Sequence, residues 1–203
     1  MAGVTNKASL VLKKTGGPIE ITGLLYPLKD NNGVVFPYTP TIMFSHAAGY
    51  GQYDITGANY HQNYYTGTSN PTVSVTAMFS SNTLDEAKYT TAAIQFFKAS
   101  TKSQFGVRAG AAAGTPPPIL MFNAYGQANA KNVPVVVRSF NYTLPEDTDY
   151  VTFDDPVSGE LSVPALILIQ IELTPQIPPK TVKDNFSLQD YASGNNLRGG
   201  GFL

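Results

Sequence analysis

The chain has 203 residues, with 13 Lys or Arg against 14 Asp or Glu, no Cys and no Trp. Charged residues are 13% of the whole, about half the roughly 25% usual in soluble domains, while 42% are hydrophobic, which excludes disorder over most of the length. Disulfides and thiolate-ligated zinc are excluded by the missing Cys, and the near-zero net charge argues against broad electrostatic binding to nucleic acid or anionic membrane.

The stretch up to Gly17 has no apolar run of signal-peptide length. The longest apolar run, Val163 to Ile169, is far short of the ~20 residues of a membrane helix. A soluble protein without an export signal is therefore expected. Ser9–Lys13, Ile19–Tyr26, Val34–Tyr38 and Thr41–Ser45 are candidate short strands. Asn32-Gly33, between two apolar segments, fits a tight hairpin turn. Residues 48–68 hold Tyr50, Tyr53, Tyr60, Tyr64 and Tyr65 among Gly and Asn and read as a long irregular loop, of the kind that is often functional.

Thr72–Phe79 alternates apolar and polar residues, with Val73, Val75, Ala77 and Phe79 on one face. The period then changes. Thr83-Leu84-Asp85-Glu86 fits a capping box, and its two acids suit the positive end of a helix dipole. Tyr89, Ala92, Ala93, Phe96 and Phe97 recur at helical spacing. A helix over Leu84–Thr101 follows, with Tyr89, Ala93, Phe96 and Phe97 packing it on a sheet or a neighbouring subunit. Lys98 and Lys102 fall toward its C-terminal end, and Gly106 just past it.

Gly110 to Gly114 lacks the phosphate-cradle pattern and reads as a flexible loop. Ile119–Phe122 follows three prolines, a stiff polyproline-type entry into a strand. Val133–Tyr142 is a further strand, with Pro134 suited to a first-residue or edge position. Pro164–Leu173 is the strongest strand signal. Ile167, Ile169, Ile171 and Leu173 share one face, while Leu166, Leu168, Gln170 and Glu172 make a second face that turns from apolar to polar. The tail, Leu188 to Leu203, holds Leu197, a Gly199-Gly200-Gly201 run and Phe202, and reads as an extended arm. The fold class expected is mainly β (α+β): two packed antiparallel sheets, as a sandwich or partly open barrel, with one flanking helix. Residues 1–187 form one domain and residues 188–203 the arm.

Chemistry-bearing patterns are sparse. There are two histidines, His46 and His61. Ser45, His46 and Asp54 supply the residue types of a nucleophile, base and orienter, but neighbours on a strand point to opposite faces. Five of the 14 acids, Glu146, Asp147, Asp149, Asp154 and Asp155, lie close together; oxygen ligands at that density suit Ca²⁺, two carboxylates suit a glycosidase, and a solvated turn needs neither. Lys13-Lys14 and Lys98/Lys102 are too sparse for a nucleic-acid footprint. No catalytic, metal or cofactor residue is expected. The tyrosine-rich loop is the one positive feature. Tyr supplies rigid amphipathic contact area at low entropic cost, and three readings are open: packing on its own domain, a protein–protein contact, or sugar stacking.

The order of segments carries a resemblance. A strand (Thr72–Phe79) leads into a helix with EAKY and FFKASTKSQFG (Glu86–Gly106). Then come GTPPPILMFNAYG (Gly114–Gly126), NVPVVVRSFNYTLPEDTDYV (Asn132–Val151) and VPALILIQIELTPQ (Val163–Gln176). This resembles baseplate proteins of contractile-tailed bacteriophages that carry the tail-tube fold, in particular the tail tube initiator, over about half the chain. The resemblance implies two orthogonally packed sheets with a helix, and a hexameric ring in which subunits join their sheets around the DNA channel. It implies a non-enzymatic virion protein, assembled in the host cytoplasm, whose partners are other copies of itself, the tail tube protein, the baseplate hub and other baseplate proteins, with no membrane and no sequence-specific nucleic acid. Tyr50, Tyr53, Tyr60, Tyr64, Tyr65, Leu197 and Phe202 would then be subunit contacts. The major tail tube subunit and a carbohydrate-binding β-sandwich using the tyrosine loop are the alternatives.

Overall fold

A computed structural model describes residues 7–13, 18–106, 110, 112–126, 129–198 and 201–203, without the side chains of Leu197 and Arg198. The strands are β1 (Ser9–Leu12), β2 (Gly33–Val35), β3 (Thr41–Ser45), β4 (Ala48–Tyr53), β5 (Gln62–Thr68), β6 (Thr72–Ser80), β7 (Leu120–Ala124), β8 (Ala130–Thr143), β9 (Tyr150–Asp155), β10 (Gly159–Pro164) and β11 (Leu166–Pro175). The α-helices are α1 (Leu84–Ser100), α2 (Pro179–Asn185), α3 (Leu188–Ala192) and α4 (Asn195–Arg198), and a 3-10 helix runs Gly23–Asn31.

Seven strands form one antiparallel sheet in the order β2-β1-β7-β8-β11-β6-β3. Its two outermost strands, β2 and β3, are joined only by Phe36–Pro40. Laid flat at ~4.8 Å per strand they would stand about 29 Å apart, yet a connection that short reaches only about 21 Å. The sheet must therefore roll. Accordingly, the Phe36 ring lies 6.1 Å from Phe79 of β6, edge to face. The fold is mainly β, in the α+β class. Where two packed sheets were expected, the strands hydrogen-bond as one rolled sheet whose halves face each other, and β4–β5 and β9–β10 stand as separate two-stranded ribbons.

The alternating positions explain the core. Val73, Val75, Ala77 and Phe79 of β6 and Ile167, Ile169, Ile171 and Leu173 of β11 are buried in one cluster with Leu10, Phe122, Val133 and Val135. Helix α1 lies on that face. Ala92, Ala93, Phe96 and Phe97 are fully buried, and Tyr89 packs against the cluster half-buried. Thr83 caps the helix by accepting from the Glu86 N–H at 3.3 Å, while the Glu86 carboxylate accepts from the Asn82 N–H at 2.9 Å, one residue earlier than a standard capping box. The β9–β10 ribbon closes over the helix start, burying Phe153 and Val163 against Ala87.

Four local expectations change. Ile19–Tyr26 is not a strand; from Gly23 the chain forms the 3-10 helix, burying Leu25 and Leu28. Three-residue spacing puts those two on one side of a helix with three residues per turn. Asn32 adopts left-handed backbone (φ 52°) and caps that helix, its amide donating to the Leu12 carbonyl at 3.1 Å, so Asn32-Gly33 is a helix stop and not a two-residue hairpin turn. The tail is not an extended arm. It forms α3 and α4 and folds back, with the Tyr191 hydroxyl donating to the Leu203 carbonyl at 2.5 Å and the Gly201 N–H to the Lys131 carbonyl at 3.0 Å. Phe186 meets Tyr191 and Phe202 at 5.8 and 6.0 Å. Contact among these partly exposed rings gives the tail a reason to fold that its glycines hide. Finally, residues 48–68 are an ordered ribbon, considered next.

Candidate subunit-contact surface

Strand β4 continues the path of β3 after His46-Ala47, and β5 leads into β6 through Ser69-Asn70-Pro71. The Ser69 N–H donates to the Ala47 carbonyl at 3.0 Å, so the ladder carries across the join. The β4–β5 ribbon is thus a prolongation of the β3–β6 pair beyond the body of the sheet. Strand alternation places Tyr50, Gln52, Asn63 and Tyr65 on one face and Gly51, Tyr53, Gln62 and Tyr64 on the other.

Each face has its own packing. Tyr50 and Tyr65 meet edge to face at 6.0 Å, and the Tyr65 hydroxyl bonds the Thr68 hydroxyl at 2.5 Å. Opposite, the Tyr64 ring lies across Gly51, where a Cβ would come within 2.5 Å of the ring. The Tyr53 hydroxyl donates to Gln62 at 3.4 Å, and Asp54 pairs with His61 at the tip. The rings nevertheless remain open to solvent: Tyr50, Tyr53, Tyr60, Tyr64 and Tyr65 are 65%, 50%, 87%, 53% and 59% exposed. The rings therefore pack mainly within the ribbon and not on the body of the sheet, and half or more of each is left exposed.

The two edges of the main sheet differ. At β2, the Tyr89 hydroxyl accepts from the Val35 N–H and donates to the Val35 carbonyl, both at 2.8 Å. Burial, partly offset by the Val35 bond, holds the Tyr89 pKa above its ordinary value. Helix α1 therefore occupies the hydrogen-bonding groups of Val35 on that edge. Replacing Tyr89 with Phe strips both Val35 groups of their partner, and should lower stability by about 1–3 kcal/mol, read as a reduced urea midpoint with an unchanged slope. At β3 no comparable cap exists among the described residues. Thr41 to Tyr53, the edge formed by β3 and β4, contains no Lys, Arg, Asp, Glu or Pro, the residues that usually blunt a free edge.

The sheet face turned away from α1 is nearly bare of charge. Met43, Met78, Leu166 and Leu168 are 62%, 47%, 42% and 44% exposed, and around them β3, β6, β8 and β11 present Thr, Ser, Asn and Gln. Arg138 and Glu172, 3.6 Å apart at one end, are the only ion pair formed there among the described residues.

The other candidates do not converge. His46 lies at the base of the ribbon, whereas Asp54 lies at its tip with His61, so Ser45, His46 and Asp54 form no set. Among the described residues, no three His, Asp or Glu come close enough to hold a metal ion. In the acidic stretch, Asp155 turns its carboxylate onto the N–H groups of Ser158 and Val157, at 2.8 and 3.0 Å, which holds its pKa below the ordinary carboxylate value. Phe202 is engaged within the chain, and the side chain of Leu197 lies outside the described residues. The Tyr89 cap was missed from sequence; its helical spacing marks Tyr89 as packing and gives no hint of its hydroxyl's partner. The apolar outer face was half visible, in Leu166 and Leu168. No protein-family model matches the chain, and a search of curated proteins finds no relative.

Proposed function

We propose that this chain is a structural, non-enzymatic subunit of a phage contractile tail, forming a baseplate ring that joins the hub to the inner tail tube and starts tube assembly. The observation that carries this reading is the β4–β5 ribbon. It projects from the sheet, exposes tyrosines on both faces, and adjoins an edge and a sheet face nearly free of charge. A lone soluble subunit keeps a charged surface of mixed sign; this surface is built to be covered. The resemblance noted from the order of segments supplies the assembly. Other copies, the tube protein and the hub are the partners, and the virion is the location. A sugar-binding reading draws nothing from the geometry, because the tyrosines are divided between two faces of an extended ribbon and do not line one cleft.

Native mass measurement and negative-stain imaging of the purified protein, alone and with the tube subunit, test the proposal. A closed ring that nucleates tubes is the expected result. Unlimited tubes from this chain alone would identify it as the tube subunit itself. A strict monomer with no affinity for tube or hub components would overturn the reading.

A further inference from the structure

The tail is tied to the body at two points of one strand. Strand β11 pairs with β8 as far as Pro175, opposite Val135. Beyond that pair the Gln176 N–H donates to the Pro134 carbonyl at 2.8 Å, and the Gly201 N–H donates to the Lys131 carbonyl at 3.0 Å. Those two carbonyls lie about 10 Å apart along β8. Between Gln176 and Gly201 no hydrogen bond or ion pair joins the tail to the body among the described residues. No described residue from Gln176 onward is buried. Leu203, partly buried, is the one tail side chain among them that packs against the main core.

We infer that the tail beyond Gln176 is a hinged strap that opens as a unit while the sheet stays folded, with Gln176 as its fixed end and Gly201 to Leu203 as its latch. The contacts divide in that way. Helices α2, α3 and α4 are each too short to be stable alone in water, and they are held to one another. The Phe186 ring sits against Tyr191 and Phe202, the Tyr191 hydroxyl holds the Leu203 carbonyl, and the Asn196 amide donates to the Ser187 carbonyl at 3.5 Å. Those contacts travel with the strap. Opening breaks only the Gly201 bond and lifts Leu203 from its seat, so it lies far below global unfolding in free energy. It uncovers the apolar seat of Leu203 and frees the Lys131 carbonyl, on a part of β8 that has no β11 partner. The strap therefore gates a patch of core and strand that the closed form hides. It is a property of the single chain and does not rest on the ring reading.

Amide hydrogen exchange of the full chain, followed by NMR, tests this. Ile169, fully buried and paired with both β6 and β8, reports global unfolding. The protection factor of Gly201 is expected to be at least about a hundredfold below that of Ile169, and insensitive to low urea, as for an opening that exposes little surface. Gln176 is expected to stay better protected than Gly201, because its end remains fixed. Tyr191→Phe removes the hydroxyl that positions Leu203, and is expected to speed Gly201 exchange roughly two- to tenfold without moving the urea midpoint. Exchange of Gly201 together with Ile169, with one protection factor and one urea dependence, would make the tail part of the folded body and overturn the inference. A Tyr191→Phe protein whose urea midpoint falls, or whose Gly201 exchange is unchanged, would overturn it as well.

Discussion

Replacing Phe97 with Ala is expected to lower the unfolding free energy by about 3–5 kcal/mol. Phe97 is fully buried, with Phe96 at 5.7 Å and Phe140 of β8 at 5.3 Å between ring centroids. Phe140 in turn stacks on Tyr142 at 5.5 Å, whose outer side faces the Lys98 ammonium at 4.9 Å from the ring centre. Deleting the Phe97 ring leaves a cavity where helix meets sheet, in an interior close-packed enough to relax only in part. The loss belongs to packing, since Ala is the better intrinsic helix former. Urea or thermal unfolding measures it. Against a typical total of roughly 5–15 kcal/mol the change removes a large fraction of stability. A loss below about 1 kcal/mol would mean that α1 does not pack on this sheet as described.

Gly33→Ala is the second large effect. Gly33 opens β2 opposite Val11 of β1, with φ +156°. A Cβ there would lie 2.4 Å from the Leu10 carbonyl oxygen and 2.6 Å from the Val11 Cα. Both are backbone atoms held in the ladder with β7, so neither can turn aside as a side chain would. Strand β2 must move off β1, drawing Val35 away from Tyr89. A loss of about 2–4 kcal/mol is expected, with early hydrogen exchange at Val34 and Val35. Gly57→Ala is the control. Its φ is +86° and a Cβ there meets nothing within 4 Å, so only left-handed strain of about 1–2 kcal/mol applies, in a loop far from the core. Equal effects at the two positions would refute the steric account.

Long periodic segments were legible in sequence and local exceptions were not. The β6, α1, β8 and β11 assignments follow from apolar residues at spacings of two or three and four, because each element buries one continuous face. The run starting at Pro164 split in two because Ala165 leaves both ladders, its N–H donating to the Asp149 carbonyl at 2.7 Å and its carbonyl accepting from Ser81 at 2.8 Å. No periodicity reports such a crossover. Pro134 sits within β8, not at its start, and is tolerated because β8–β11 pairing ends beside it, at Val135 and Pro175. Residues 48–68 read as a loop because Gly and Asn depress strand propensity; cross-strand pairing of Tyr50 with Tyr65 and the clasp of Tyr64 over Gly51 override it. The exposed ribbon was legible only as composition, five tyrosines in a charge-poor stretch. Its division into two faces and two open edges needed the register of the ladder.

The short Phe36–Pro40 connection also bears on the order of folding. It makes the outermost strands of the sheet neighbours in sequence, while β1 must wait for β7, with Leu12 meeting Leu120. The β4–β5 and β9–β10 ribbons and α1 close only short loops and can form on the microsecond scale. Pairing β1 with β7 closes one of the longest loops in the chain, which favours slow folding. During that interval the side of β1 that β7 will cover stays open, and the charge-free β3–β4 edge is already formed. An edge left open while the rest of the sheet folds slowly is a site for pairing with the wrong neighbour.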